Sequence, residues 1–297
     1  MVTPVLEVRN LEKRLENGDL LADLSLALYP GDFLGIVGPS IGKSVLVRVM
    51  ATLLTADGGE VWIDGIPARC VERARRRLGY HGGAAEILPD LTLRQFLASF
   101  ARLQGVDEAY VEGQVEEVLR LAHLRKVSDE PMSRLKRADL RRAGLARALV
   151  HGPRVVLLDE PLRALQGGER DLWVEMLEQI RNRGCAIVMA AETMREVRHL
   201  LTHACVIAAG RVLACGPIGS LDGQVSRLRC VHLQVVGADR AVGLLQGQPG
   251  VFRASGLGDI IKVLFMGDSH EVLALVTHLT SQGFPVVSYR QEAAYLM

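Results

Sequence analysis

The chain has no apolar run long enough to cross a membrane, so any membrane association has to come through a partner. A secretory leader is not expected either, because Val5-Leu6-Glu7-Val8-Arg9 already alternates as a strand does. Charge of one sign is missing: 35 Lys and Arg against 34 Asp and Glu leave a net charge of +1. Nothing in that balance favours nucleic acid or an anionic membrane surface. Cysteine is scarce and unpatterned. Cys70, Cys185, Cys205, Cys215 and Cys230 are odd in number and lack CxxC spacing. That argues against a disulfide framework or a zinc site and for reduced thiols in a cytosolic compartment, each a small core residue.

What is present is enough apolar material, 49% of 297 residues, to bury one large and one small domain. The stretch that organises the chain is Gly38-Pro39-Ser40-Ile41-Gly42-Lys43-Ser44. It follows the apolar run Phe33–Val37 and opens a helix-like segment, Val45–Met50. Strand, glycine loop, Lys-Ser and helix is the order of a P-loop, in which backbone N–H groups wrap a phosphate chain while lysine and serine reach phosphate and Mg²⁺. A working loop places four residues between its two glycines, and here Pro39, Ser40 and Ile41 alone separate Gly38 from Gly42. The expected anion nest is therefore smaller and misdirected.

Residues 5–9, 24–28 and 33–37 read as strands, and 58–65 as a strand between turns. From Leu91 to about Leu149 the period becomes helical, with Thr92-Leu93-Arg94-Gln95 as a capping box and Val111–Leu124 apolar at three- and four-residue spacing. Arg154-Val155-Val156-Leu157-Leu158-Asp159-Glu160-Pro161 predicts a strand buried on both faces that carries two acids to a cleft. Residues 169–181 predict a helix, and 185–191 and 204–209 further buried strands. After Val231 the pattern is β-α-β-β-α-β.

The P-loop-like turn, the helical insertion, the helix ending Gly144-Leu145-Ala146-Arg147-Ala148-Leu149 and the run Val-Val-Leu-Leu-Asp-Glu-Pro occur in the order that resembles the ATP-binding subunit of an ABC transporter. The C-terminal pattern resembles the small domains found on such subunits of ABC-2-type exporters. The resemblance implies an α/β P-loop NTPase core with a helical subdomain (about 91–149) over residues 1–226, and a small α+β ferredoxin-like domain over 227–297. It implies ATP and Mg²⁺ as ligands and a permease and a second ATP-binding subunit, same or different, as partners. It also implies a peripheral position on the cytoplasmic face of the membrane. Gly38, Pro39, Ser40, Gly42, Lys43, Ser44 and Val45 would contact nucleotide, Ser44 and Asp159 the metal, and Glu160 would be the catalytic base.

Several positions depart from the family pattern. Leu15 stands where an aromatic would stack on adenine, and its packing reading is the better one. Gly83 replaces the glutamine that binds metal and water; Gly82-Gly83 also reads as a plain hinge, and His81 as a structural histidine. Leu135-Lys136-Arg137-Ala138-Asp139 stands in place of Leu-Ser-Gly-Gly-Gln, with Lys136 and Arg137 a solvated basic face and a helix start capped earlier, by Ser133. Gln166 replaces an aspartate, and Glu192 stands in place of the switch histidine, a carboxylate where imidazole would donate to the γ-phosphate. Two functions compete: a degenerate pseudo-ATPase subunit of an export complex, favoured by these changes, and an active subunit that hydrolyses Mg-ATP with Glu160.

Overall fold

The computed structural model describes residues 3–15, 20–38, 40–84, 88–192, 194–208, 211–225 and 228–293. The chain starts with β1 (Leu6–Arg14), β2 (Leu20–Leu28), β3 (Phe33–Val37), α1 (Ser40–Met50), β4 (Gly58–Ile63) and β5 (Ile66–Pro67). An antiparallel sheet in the order β2-β1-β4-β5 uses the alternation of β1, whose Leu6, Val8 and Leu11 face inward. β3, buried at all five residues, belongs instead to a second sheet.

That sheet is completed by α2 (Val71–Arg75), β6 (Leu78–His81), α3 (Leu93–Leu103), α4 (Glu108–Leu121), α5 (Arg137–Leu149), β7 (Val155–Asp159), α6 (Gly168–Asn182), β8 (Ala186–Ala191), β9 (His203–Ala208), β10 (Arg211–Pro217) and α7 (Ile218–Val225). The strand order is β10-β9-β3-β8-β7-β6, parallel except for β10, which runs antiparallel to β9. Both faces are covered, as a parallel sheet requires. Val156 and Leu158 of β7 pack with α6 and the helices of the insertion, whereas Val155 and Leu157 face α1 and the antiparallel sheet.

Most expected elements are present with longer ends. The Thr92–Gln95 capping box forms in full: the Thr92 hydroxyl accepts from Gln95 N–H at 3.2 Å, and Gln95 Oε1 accepts from Thr92 N–H at 2.9 Å. Two helix starts differ from expectation. α1 begins at Ser40 rather than Val45, so most of the glycine loop is spent as helix. α5 begins at Arg137, with Lys136 at its N-cap and no side-chain cap. Ser133 lies in a separate 3₁₀ turn, Met132–Arg134, that ends where Leu135 turns extended and buries its side chain.

The remainder is β11 (Leu228–Val235), α8 (Ala238–Leu245), β12 (Val251–Leu257), β13 (Ile260–Met266), α9 (Ser269–Ser281) and β14 (Val286–Ala293). Its antiparallel sheet has the order β12-β13-β11-β14, the β-α-β-β-α-β arrangement expected. Val231, Leu233, Ile261 and Val263 bury against Leu245 of α8 and Val272 and Leu279 of α9 in a core of their own. On the opposite face Leu264, flanked by Phe252 and Met266, joins the larger core instead.

We propose that residues 227–297 fold as a unit. A fragment beginning at Ser226 is expected to unfold in one cooperative thermal transition, with the Phe252–Leu264–Met266 patch newly exposed. A gradual, non-cooperative loss of its circular dichroism would show that the patch must be covered by the larger core.

Candidate functional site

β3 delivers the chain to α1 through two residues, Gly38 and Pro39, of which Pro39 lies outside the described residues, as do the side chains of Ser40 and Ile41. Gly38 has φ 146°, and a Cβ there would stand 2.1 Å from the Ile207 carbonyl oxygen of β9, so the turn is pressed onto its neighbouring strand. At Gly42 an added Cβ would stand 3.2 Å from Ile207 Cγ2, 3.6 Å from Leu21 Cδ2 and 3.9 Å from Leu15 Cδ1. Leu15 is buried and works as packing over the first turn of α1. Val45 is half-buried on the same helix.

The helix turns Lys43 inward. Its side chain has no exposed surface, and Nζ stands 2.9 Å from Glu160 Oε1 at an angle that makes an ion pair and not a hydrogen bond. The other oxygen of Glu160 accepts a 2.8 Å hydrogen bond from Arg163. One residue earlier, Asp159 accepts a 2.7 Å hydrogen bond from the Ser44 hydroxyl on Oδ1, while Arg48 Nε stands 3.7 Å from Oδ2. Arg48 lies beside Tyr80, whose hydroxyl stands where a side chain on Gly82 would have to go, 2.4 Å from its Cβ position. Burial, then the charge of Asp159, raise the Tyr80 phenol above its ordinary value.

Glu160 is a non-glycine residue in the left-handed region, φ 52°, a conformation that costs about 1–2 kcal/mol. Its N–H donates to the Ala190 carbonyl of β8 at 2.9 Å, which helps to hold the turn. Burial opposes ionisation of the Glu160 carboxyl, but Lys43 and Arg163 outweigh it and hold the group below the usual carboxylate range. Two acids thus face three cations, all from this chain.

Ser44 and Asp159 are oxygen donors of the type Mg²⁺ takes. Here they bond each other, with an arginine across the second Asp159 oxygen. Lys43 is withdrawn under Glu160 and the turn before α1 is two residues long. The oxygen donors, the lysine and the second acid are thus all engaged with one another within the chain.

The other expected positions fall in four places. Glu192 is exposed, and it lines a cavity of about 180 Å³ together with Glu160, Arg163, Arg170 and Glu196. Gly83 follows β6 with φ 134° and open space beside it, while residues 85–87 after it lie outside the described residues. Lys136 and Arg137 are exposed, Ala138 is half-buried, and Asp139 accepts from Arg142 at 2.6 Å. No hydrogen bond or ion pair among the described residues joins these four to the Lys43–Glu160 group. Their helix does reach it through Arg141, which donates to the Arg163 carbonyl at 2.7 Å. Gln166 is exposed.

His81 is no ligand. It is buried against Trp173, ring centroids 5.3 Å apart, and no group of three or more metal-ligating side chains occurs among the described residues. Sequence reasoning missed Arg48 and Arg163. Both had a signal in spacing: Arg48 is four residues after Ser44 on one helix face, and Arg163 three after Glu160.

A parallel sheet covered on both faces, a Lys-Ser helix start and an Asp-Glu strand end define a P-loop NTPase of the ABC type, and the chain belongs to the ATP-binding subunits of ABC transporters. A family model described as ABC transporter matches residues 21–163. The Nod factor export ATP-binding protein I of Burkholderia thailandensis is 32% identical over 243 residues, 81% of this chain and 79% of the relative. That of Rhizobium etli is 27% identical over 241 residues, 80% of this chain and 76% of the relative. Among solved structures, an ATP-binding subunit of an ABC transporter shares the fold at TM-score 0.66 and 20% identity, covering 74% of this chain and 92% of its own. An ATP-binding cassette solved as a dimer with ADP and phosphate does so at 0.62 and 20%, covering 72% and 98%.

Two stability measurements test this geometry. Glu160→Ala leaves the Lys43 ammonium buried without a counter-charge and is expected to cost about 3–5 kcal/mol in denaturant unfolding, whereas Lys43→Met costs clearly less because Arg163 still pairs Glu160. Equal, small losses would place Lys43 in solvent.

His81 gives a pH dependence. Burial, with the nearby charges of Arg141 and Arg147 adding to it, lowers its imidazole from 6.5 to about 4. The folded histidine stays neutral where the unfolded one takes a proton, so stability falls as pH drops from about 6.5 towards about 4. By pH 5 the loss is about 2 kcal/mol. Unfolding of His81→Phe at pH 7 and pH 5 should lack this component.

Proposed function

We propose that this chain is a degenerate, pseudo-ATPase subunit of an export-type ABC transporter. It keeps the fold of an ATP-binding subunit and contributes a structural half to the complex, binding Mg-ATP weakly or not at all. It pairs with a second ATP-binding subunit, the same or another chain, and docks on a membrane permease from the cytoplasmic side. The export-protein names of its relatives support the setting. The observation that carries the loss of function is the buried Lys43, whose charge is spent on Glu160. Gly83, Leu135–Asp139, Gln166 and Glu192 support it, because each lacks the group that water positioning, the opposed face or the γ-phosphate requires. One observation favours the active reading: Ser44, Asp159 and Glu160 remain within one cluster.

Titration calorimetry of the purified chain with Mg-ATP separates the two. Weak or no binding is expected; a dissociation constant in the low micromolar range, about 8 kcal/mol, would overturn the pseudo-ATPase reading.

A glycine inserted between Ser40 and Ile41 restores the loop length and is expected to raise nucleotide affinity while ATPase activity stays at background. Turnover near about one per second from the insertion alone would make Glu160 a working base.

A further inference from the structure

The five cysteines show no motif in sequence, yet the hairpin of β9 and β10 brings two of them face to face. Cys205 and Cys215 are direct partners in the antiparallel register, so their side chains project to the same side of the sheet. Directly opposed residues of an antiparallel pair have Cα atoms about 4.5–5.5 Å apart, inside the span a disulfide bridges without backbone movement. Both pack against the same core, Cys205 wholly buried and Cys215 partly exposed. Both are reduced thiols in the structure.

We infer that Cys205 and Cys215 form a redox-active pair that a hydroperoxide converts to a cross-strand disulfide. The roles differ because the environments do. The neighbouring Cys205 lowers the Cys215 thiol below its ordinary value, whereas Cys205, facing Cys215 and fully buried, is held well above it. Cys215, partly open to solvent at the strand that ends the sheet, attacks first. Its thiolate takes one oxygen of hydrogen peroxide: an S–O bond forms, the O–O bond breaks and hydroxide leaves. Cys205 sulfur then attacks the sulfenic sulfur, forming S–S as S–O breaks, and the thiol proton leaves with the hydroxyl as water. The two thiols give up two electrons and two protons, and the peroxide becomes two waters.

The location gives the bond a structural effect. β9 pairs β3 through Cys205 opposite Ile36, and its Ile207 carbonyl supports Gly38. A staple between β9 and β10 therefore stiffens the wall on which the turn before α1 rests. This inference stands apart from the nucleotide reading, since neither thiol belongs to the Lys43–Glu160 group.

The test treats the full chain with excess hydrogen peroxide, blocks residual thiols and maps tryptic peptides without reduction. Trypsin cuts after Arg211, between the two cysteines, so the expected product is a linked peptide pair and an intact mass lower by two hydrogens. Reduction should restore both, and Cys205→Ala and Cys215→Ala should each abolish the link. Sulfinic acid on Cys215 with no link, or a link that uses Cys70, Cys185 or Cys230, overturns the inference. Should a variant fail to fold, wild-type protein equilibrated in glutathione buffers of rising oxidation serves instead. A linked fraction that rises and reverses with the buffer supports the pair, and one that stays at zero overturns it.

Discussion

A lysine ammonium with no exposed surface has to be neutralised where it sits, and that requirement organises the centre of this molecule. Burying a charge without a partner costs several kcal/mol, so the position of Lys43 depends on Glu160, and Glu160 in turn sits in a left-handed turn at the end of β7. Arg163 fixes the second oxygen of the same carboxylate, and Arg141 of α5 holds the Arg163 carbonyl. The helical insertion, the central sheet and α1 are thus connected through one carboxylate. Beside it Asp159 faces Ser44 and Arg48, with Tyr80 next to them, in a second group that is neutral in itself. With three cations against two acids, the region keeps one positive charge in excess.

Packing accommodates the short loop. With α1 beginning at Ser40, the chain gains helical hydrogen bonds early and packs the first turn on Leu15, Leu21 and Ile207. The Gly38 turn cannot settle deeper, because the Ile207 carbonyl already lies against it.

Much of the fold was legible because its signals are local or periodic. The continuous run Val155–Leu158 announced a strand buried on two faces, Thr92 and Gln95 announced a helix start, and the β-α-β-β-α-β pattern after Val231 matches the observed sheet order. Helix starts that depend on packing were not legible. Ser133 has the chemistry of a cap, but burial of Leu135 breaks the helix before it can act as one. The acids of the site were legible, and their counter-charges were not. Arg48 and Arg163 read as ordinary surface arginines until the fold places them beside Asp159 and Glu160. Cys205 and Cys215, ten residues apart, likewise acquire a relation only through strand register.

Side chains of successive strand residues point to opposite faces, so Asp159 and Glu160 would diverge if β7 simply continued. The left-handed turn at Glu160 brings both carboxylates to cations of one helix, Lys43 and Arg48 of α1. The two acids are therefore components of the fold in their own right. A lineage that stopped hydrolysing nucleotide would still be penalised for losing them, since a chain without Glu160 is left with a buried, unpaired ammonium. Purifying selection on folding alone can keep an Asp-Glu pair in place through long neutral drift, and in such a chain the persistence of the pair is no record of turnover.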